Sequence, residues 1–200
     1  SEANVSEGGT EAESDTTEYK THSIIVNYLF DNNGIAYEPY GATIAHGEPF
    51  STTIEPPPIL GYEPHRRIGD EYVPADKFTI SYDAVIEDIT INVIYLPALV
   101  KFQAHHHFQN LHDDEYSLTP DRTTEGYALT GSIVPDGLAL QIPGFTSYPY
   151  EKLTVAADGS TTIEIRYDRN YYLVDFDMNG GYGSDPVYTK YGETVGANVP

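Results

Sequence analysis

Four histidines lie close together, and among the residues of this sequence they are the set whose type and spacing most suggest a metal site. They are His105, His106, His107 and His112. Neutral imidazole is a common ligand of zinc and copper. If a strand continues from Val100, His105 and His107 point to solvent and can chelate weakly, with His112 or Asp113 as a third ligand, while His106 follows the buried face. The pattern favours surface strand residues instead, and we expect no metal.

Two short stretches combine carboxylate and amide oxygens and could suggest calcium: residues 31–34 (DNNG) and 177–181 (DMNGG). A calcium loop supplies about six to eight oxygens at defined spacing and ends in a bidentate acid, and neither stretch matches that pattern. The Asn-Gly and Gly-Gly pairs are typical of turns with positive φ. We therefore expect turns here, with calcium binding as the alternative.

Catalytic motifs are absent from the sequence. It contains no G-x-S-x-G elbow, no H-E-x-x-H, no phosphate loop and no dinucleotide fingerprint. Acidic pairs such as Asp113-Asp114 and Glu87-Asp88 could serve a glycosidase, but 31 acidic residues in 200 produce such pairs by chance. We expect a protein that is not an enzyme and that carries no cofactor.

Tyrosines and a few arginines are the more credible binding residues. Tyrosine rings can stack on sugars as flat amphipathic platforms, although tyrosine is also a favoured strand residue. Two groups of tyrosines qualify: Tyr148, Tyr150 and Tyr171, or Tyr62, Tyr72 and Tyr82. Local positive charge comes from Arg66-Arg67, with Arg166 and Arg169 as a second pair. The candidate ligand-binding residues are Arg66, Arg67, Tyr148 and Tyr150.

Composition excludes several classes of protein. The net charge of −21 opposes binding to nucleic acid or to an anionic membrane surface. No apolar run is long enough to span a bilayer, so we expect no membrane insertion. The absence of cysteine removes disulfides and thiolate metal sites. Eighteen Tyr with 14 Pro and 17 Gly predict short strands separated by turns, a mainly β fold with α+β as the alternative.

The chain contains an internal repeat. Val26, Val100 and Val174 are each 74 residues apart, and an aromatic residue follows each of them two positions later. Apolar residues alternate around all three valines, which predicts an opening strand with one buried face. Two of the repeats then pass through a Pro/Gly corner, at 56–62 and 142–148, to an alternating closing strand, ITINVIY or TTIEIRY.

These patterns predict four segments. Residues 1–19 hold six acids and no base, and are expected to be a disordered acidic linker. Complete repeats follow at 20–97 and 98–170. Residues 171–200 begin a third repeat, whose closing strand is missing.

The repeats resemble the mucin-binding-protein (MucBP) repeats and the related Listeria–Bacteroides, or internalin B-type, repeats of Gram-positive surface proteins. The first repeat carries IIVNYLFDNNG, PPPILGYEP and ITINVIY, and the second carries VKFQAHHHFQNL, LTG, IPGF and AADGSTTIEIRYDRN. The third, VDFDMNGGYGSDPVYTKYGETVGANVP, is similar to the start of a Listeria–Bacteroides repeat. The longer closing half of the first repeat, residues 65–88, departs from the pattern and predicts an added hairpin or a ligand loop.

The resemblance implies tandem ubiquitin-like β-grasp modules in an elongated arrangement, displayed outside the cell by a cell-wall-anchored, adhesin-like protein. It implies no catalytic residues. The expected function is that of a stalk or presentation module, with direct binding of mucin-type glycans or host glycoproteins as the alternative. A second alternative is an accessory module of a secreted carbohydrate-active enzyme. The expected partners are such glycans and the neighbouring repeats of the same chain.

Overall fold

The computed structural model of the chain describes residues 19–182 and 185–195, so most of the expected linker, residues 1–18, lies outside the described residues. The fold is mainly β, as predicted, and the described residues contain no α-helix. No helix among them could therefore cross a membrane. The strands are β1 Thr21–Phe30, β2 Ile35–Ala45, β3 Phe50–Ile54, β4 Tyr62–Ile68, β5 Glu71–Pro74, β6 Phe78–Tyr82, β7 Ile89–Pro97, β8 Leu99–Phe108, β9 Arg122–Leu129, β10 Phe145–Ser147, β11 Thr162–Arg169, β12 Tyr171–Val174 and β13 Val187–Lys190.

The chain divides into two compact units. One consists of Ser1–Pro56 and His65–Ile94, and the other consists of Pro57–Pro64 and Tyr95–Pro200. The segment after residue 170, which the sequence pattern marks as the start of a third repeat, belongs to the second unit.

The first unit is built around the sheet β2-β1-β7-β4-β5, with β3 and β6 forming a separate antiparallel pair. The alternation in β1 buries Ile24 and Val26 completely, as predicted from their spacing. The hairpin that joins β1 to β2 turns at Asn33, whose φ of 64° is the left-handed conformation expected of its Asn-Gly sequence. Within residues 65–88, β4 and β5 form an antiparallel hairpin that pairs His65–Ile68 with Glu71–Pro74.

The second unit has the same arrangement of an opening hairpin with the closing strand beside it. Its sheet has the order β10-β11-β8-β9, in which β8 and β9 are antiparallel and β11 runs parallel to β8. Alternate residues of β11 are buried as predicted, and they pack against apolar residues of β8 and of the loops. This core consists of Ala104, Val134, Val155, Ile163, Ile165 and Tyr167.

The alternation that buries one face of β11 presents the other face to solvent. Glu164, Arg166 and Asp168 therefore point away from the core. Because Glu164 is paired with His105 in the parallel register, these side chains share a sheet face with His105 and His107 of β8. Every candidate site in the second unit is arranged on or beside this face.

The last described segment packs onto the second unit. Strands β12 and β13 form an antiparallel pair, and Tyr191 follows the second strand. The Tyr191 ring lies directly against Gly144, where a Cβ atom would collide with the ring, and 5.8 Å from the ring of Phe145. Gly144 has a φ of +80°, so glycine meets both a conformational and a spatial requirement in the IPGF corner.

Candidate functional site

An open cleft of about 840 Å³ lies in the second unit. Its floor is the outward face of β11, and one wall is the chain that follows β10. The backbone N–H of Tyr148 donates to the carbonyl of Arg166 at 2.9 Å, which holds that wall against the strand. The cleft is lined by Gln109, Asp114, Tyr116, Tyr148, Pro149, Tyr150, Glu151, Glu164, Arg166, Asp168, Arg169 and Tyr171.

Asp168 links two tyrosines across the cleft. The hydroxyl of Tyr148 donates to Oδ2 of Asp168 at 2.6 Å, and the hydroxyl of Tyr116 donates to Oδ1. Burial and the neighbouring carboxylate hold the pKa of Tyr116 well above its ordinary value, because both disfavour a phenolate. The hydrogen bond to Asp168 likewise raises the pKa of Tyr148. Both tyrosines are therefore neutral donors that fix the carboxylate at the base of the cleft.

Three of the four tyrosine rings in the cleft carry a cation over one face. The Lys152 ammonium lies 4.9 Å from the ring centroid of Tyr150, and two similar pairs occupy the other rings. These pairs are Arg166 with Tyr116 at 5.4 Å and Lys190 with Tyr171 at 5.8 Å. Among the described residues no such cation lies over Tyr148, which is 52% exposed. Tyr148 is therefore a half-exposed ring with both faces clear of the described cations.

Tyr150, the other tyrosine selected from the sequence, is anchored in the wall. Its hydroxyl donates to the carbonyl of Pro135 at 2.9 Å and accepts from the backbone N–H of Leu138 at 3.3 Å. Its ring packs against the core of the second unit. The structure thus places Tyr148 and Tyr150 in one cleft but gives them different surroundings.

The two arginines of the cleft also differ. Arg169 donates to the backbone carbonyls of Gln109 and Tyr191, at 2.7 and 2.9 Å, and its guanidinium stacks over Phe145. Its donors are therefore engaged in holding the fold. The guanidinium of Arg166 makes no hydrogen bond to another described residue, which leaves its donors available at the cleft surface.

Arg66 and Arg67 lie in the first unit, beside a shallow cavity of about 400 Å³ that Tyr72 also lines. Arg67 is paired with Asp70 at 3.1 Å and donates to the carbonyl of Gly69, while Arg66 lies 4.4 Å from the ring centroid of Phe78. These arginines and the tyrosine cleft occupy different units, so they are two separate candidate surfaces.

The histidines of strand β8 lie in two environments, one buried and one on the outward sheet face. They alternate between the two as the strand pattern predicts. His106 is fully buried; its ring nitrogens lie 2.7 Å from the Tyr167 hydroxyl and 2.9 Å from Oγ1 of Thr124. Burial lowers its pKa, and the nearby charge of Arg122 lowers it further. His105 and His107 lie on the outward face, although His107 is only 8% exposed because residues around Ser117 cover it.

His105, His107 and Glu164 form the group of possible metal ligands that the described residues bring together. Their ligand atoms all lie within 4.8 Å of one another. His112 and Asp113, the third ligands considered from the sequence, are not part of this group. Asp113 instead accepts hydrogen bonds from Asn110 and from the backbone of Glu115, which together hold its pKa below the ordinary value.

Sequence reasoning missed two residues that define the cleft, Tyr116 and Asp168. The alternation of β11 does contain a signal for Asp168, because burial of Ile163, Ile165 and Tyr167 places the residue that follows each of them on the outward face. Tyr116 has no comparable signal, since it lies in the irregular segment between β8 and β9. Its position depends on how that segment folds back over the sheet.

Comparison with known proteins gives little further information. No protein-family model matches the chain, and no curated protein is similar enough to be matched. Among solved structures, a MucBP domain of a Lactobacillus acidophilus protein is similar over 38% of this chain and 90% of its own length, at 14% identity and a TM-score of 0.23. That score is too low to assign a fold, so the functional argument depends on the site.

Proposed function

We propose that the chain is a non-enzymatic repeat segment of a bacterial surface protein, and that its second unit binds neutral glycans in the tyrosine cleft. The observation that carries the proposal is the placement of an exposed aromatic ring, Tyr148, beside a fixed carboxylate and an available guanidinium. Sugar rings present apolar C–H faces and polar hydroxyls, so they need a flat platform together with hydrogen-bonding groups.

The size and openness of the cleft fit this class of ligand. About 840 Å³ lies within the range of small-molecule sites and leaves room for an oligosaccharide. Asp168 and Glu164 supply acceptors for sugar hydroxyls, and Arg166 supplies donors. Tyr116 contributes by holding Asp168 in place, so the carboxylate does not have to be ordered when a ligand arrives.

Charge favours a neutral glycan over a sialylated or sulfated one. Four acidic residues line the cleft against two arginines, and Arg169 is engaged by backbone carbonyls. The two lysines over the tyrosine rings are paired with acids, Lys190 with Asp114 and Lys152 with Asp136. The whole chain carries a charge of −21. An anionic sugar would therefore meet repulsion that a neutral sugar does not.

A presentation role is supported by a separate observation, the repetition of one strand arrangement along the chain. In each unit an opening hairpin lies beside the closing strand, and the opening strands begin 78 residues apart, at Thr21 and Leu99. We propose that these are β-grasp-like modules related to the MucBP and Listeria–Bacteroides repeats, whose motifs the sequence resembles. As tandem modules they would hold a distal domain of a cell-wall-anchored protein away from the wall.

A glycan array in physiological salt tests the proposal. The full 200-residue chain is compared with Tyr148→Ala, and Tyr127→Ala serves as the matched control because Tyr127 is 67% exposed on the same sheet but outside the cleft. We expect signal on neutral glycans that Tyr148→Ala loses and Tyr127→Ala retains. If the wild-type chain gives no signal on neutral glycans, glycan binding is contradicted and presentation remains as the proposed function.

A further inference from the structure

We infer that His105, His107 and Glu164 form a site for a transition-metal ion of the zinc class. Residues two apart on β8 share the outward sheet face, and the parallel register brings Glu164 of β11 directly beside His105. The single carboxylate contacts both imidazoles: Oε1 lies 3.1 Å from Nδ1 of His105, and Oε2 lies 2.5 Å from Nε2 of His107.

The surroundings of His107 determine which ring nitrogen carries the proton. Its Nδ1 lies 3.0 Å from the backbone carbonyl oxygen of Ser117, which can only accept a hydrogen bond. Nδ1 must therefore be protonated, and in a neutral ring the lone pair of Nε2 points at the carboxylate of Glu164. A metal ion would bind both donor atoms, with the two groups slightly farther apart than in their present contact.

The same contact to Ser117 is the one that metal-binding histidines characteristically make. Such a histidine donates its other N–H to a carbonyl or carboxylate, which fixes the ring orientation and makes the ligating nitrogen more basic. His107 is also held nearly buried, so its ring does not need to be ordered when the ion binds. The structure therefore supplies the supporting contact that the sequence did not reveal.

The donor set selects the class of metal. Two imidazole nitrogens and one carboxylate oxygen suit zinc, copper or nickel, whereas calcium and magnesium prefer oxygen ligands alone. Three protein ligands leave one position of a tetrahedral zinc ion open. A cavity of about 380 Å³ adjoins His107 and Glu164 and gives room for water at that position. The excess of acidic residues in the chain adds a general attraction for cations.

Arg166 lines the same cavity, and its positive charge opposes the binding of a metal ion there. Its guanidinium stacks over the Tyr116 ring, 5.4 Å from the ring centroid.

Metal binding at this site does not depend on glycan binding, because the ligand atoms come together without a sugar. Glu164 also lines the tyrosine cleft, so the ion would lie at the edge of that cleft.

The test is titration of the untagged, chelator-treated chain with Zn²⁺ alone by isothermal calorimetry. We expect one ion per chain and a higher Tm with zinc, with the binding heat lost in His107→Gln and in Glu164→Gln. Two controls should bind as the wild type does. His112→Gln removes an exposed histidine outside the site, and Glu125→Gln removes an acid of the same sheet that pairs with Lys101.

Two results would overturn the inference. Absence of zinc binding by the wild-type chain would mean that hydrogen bonds alone hold His105, His107 and Glu164 together. Binding that survives in both His107→Gln and Glu164→Gln would place the ion elsewhere. Circular dichroism of each variant without metal shows whether it is folded, and His105→Gln gives a further ligand variant at a more exposed position.

Discussion

The hydroxyl of Tyr148 donates a 2.6 Å hydrogen bond to Asp168, and this contact joins a half-exposed ring of the cleft to its central carboxylate. This hydrogen bond fixes the tilt of the Tyr148 ring through its hydroxyl, and it leaves the ring face available to a ligand. The same carboxylate is held from the other side by Tyr116. Ring, carboxylate and guanidinium are therefore positioned by the fold before a ligand binds.

Replacing Tyr148 by phenylalanine separates the roles of the ring and the hydroxyl. If the ring face supplies the binding energy, Tyr148→Phe should keep glycan affinity within a few-fold, whereas Tyr148→Ala should lower it about tenfold, since a stacked aromatic contributes about 1–1.5 kcal/mol. Calorimetric titration with a neutral oligosaccharide measures both. Equal losses in the two variants would show that the hydroxyl, through Asp168, carries the interaction.

The ionisation of Tyr116 reports on the Asp168 contact. Because its pKa is raised in the folded chain, Tyr116 should remain protonated when exposed tyrosines ionise, and unfolding should become easier as the pH rises above about 10. Asp168→Asn removes the charge that disfavours the phenolate, so the pKa of Tyr116 should fall. The ring carbon chemical shifts of labelled tyrosine follow the titration. An unchanged pKa of Tyr116 in Asp168→Asn would refute the assigned role of that carboxylate.

His106 should make the chain less stable in mild acid. Its folded pKa lies below the ordinary value of 6.5, so below that pH the unfolded chain binds a proton that the folded chain does not. The free energy of unfolding should therefore fall as the pH drops below about 6.5, by at most about 1.4 kcal/mol per pH unit from this group. Below the folded pKa this contribution is fully lost.

Urea denaturation of His106→Gln at several pH values isolates that contribution. The variant should be less stable at neutral pH, because it disturbs the bonds to Tyr167 and Thr124, yet its stability should vary less between pH 7 and 5. A slope for His106→Gln equal to that of the wild type would place the acid sensitivity in other groups.

Gly144 and Gly137 form a matched pair for testing how the last segment packs. Both have a φ of +80°, but a Cβ at Gly144 would strike the Tyr191 ring, whereas one at Gly137 would meet no atom within 4 Å. Gly137→Ala should cost about 1–2 kcal/mol of stability from backbone conformation alone. Gly144→Ala should cost about 1–3 kcal/mol more, from the clash.

Chemical denaturation of the single variants and of Gly144→Ala/Tyr191→Ala measures these costs. The double variant should recover the part due to the clash. Equal destabilisation by the two alanine variants would mean that Tyr191 does not pack on Gly144 in solution.

The strands were predictable because they are specified by the local sequence, through alternation and turn dipeptides. Period-two alternation around Val26 and along Ile163, Ile165 and Tyr167 identifies both the strands and their buried faces. Asn33 and Gly180 adopt the positive φ that their Asn-Gly and Gly-Gly pairs predict. In the segment after residue 170 the pattern was less informative, since Tyr172 and Met178, expected on the buried face, are exposed.

The candidate sites were less predictable because they depend on contacts between distant parts of the chain. The pairing of Glu164 with His105 joins residues 59 apart, and local periodicity does not specify it. The burial of His107 depends on the loop that contains Ser117. The arginines beside Tyr148 could be chosen from the sequence as a basic pair, but only the fold shows that Arg169 is engaged while Arg166 faces the cleft.

The most direct test of glycan binding in the tyrosine cleft is an NMR titration of the ¹⁵N-labelled full chain with neutral oligosaccharides released from mucin. We expect saturable shifts of the amides of Tyr148, Arg166 and Asp168, with the first unit unchanged and with no shifts in Tyr148→Ala. Shifts centred on Arg66 and Arg67, or no shifts at millimolar sugar, would contradict it.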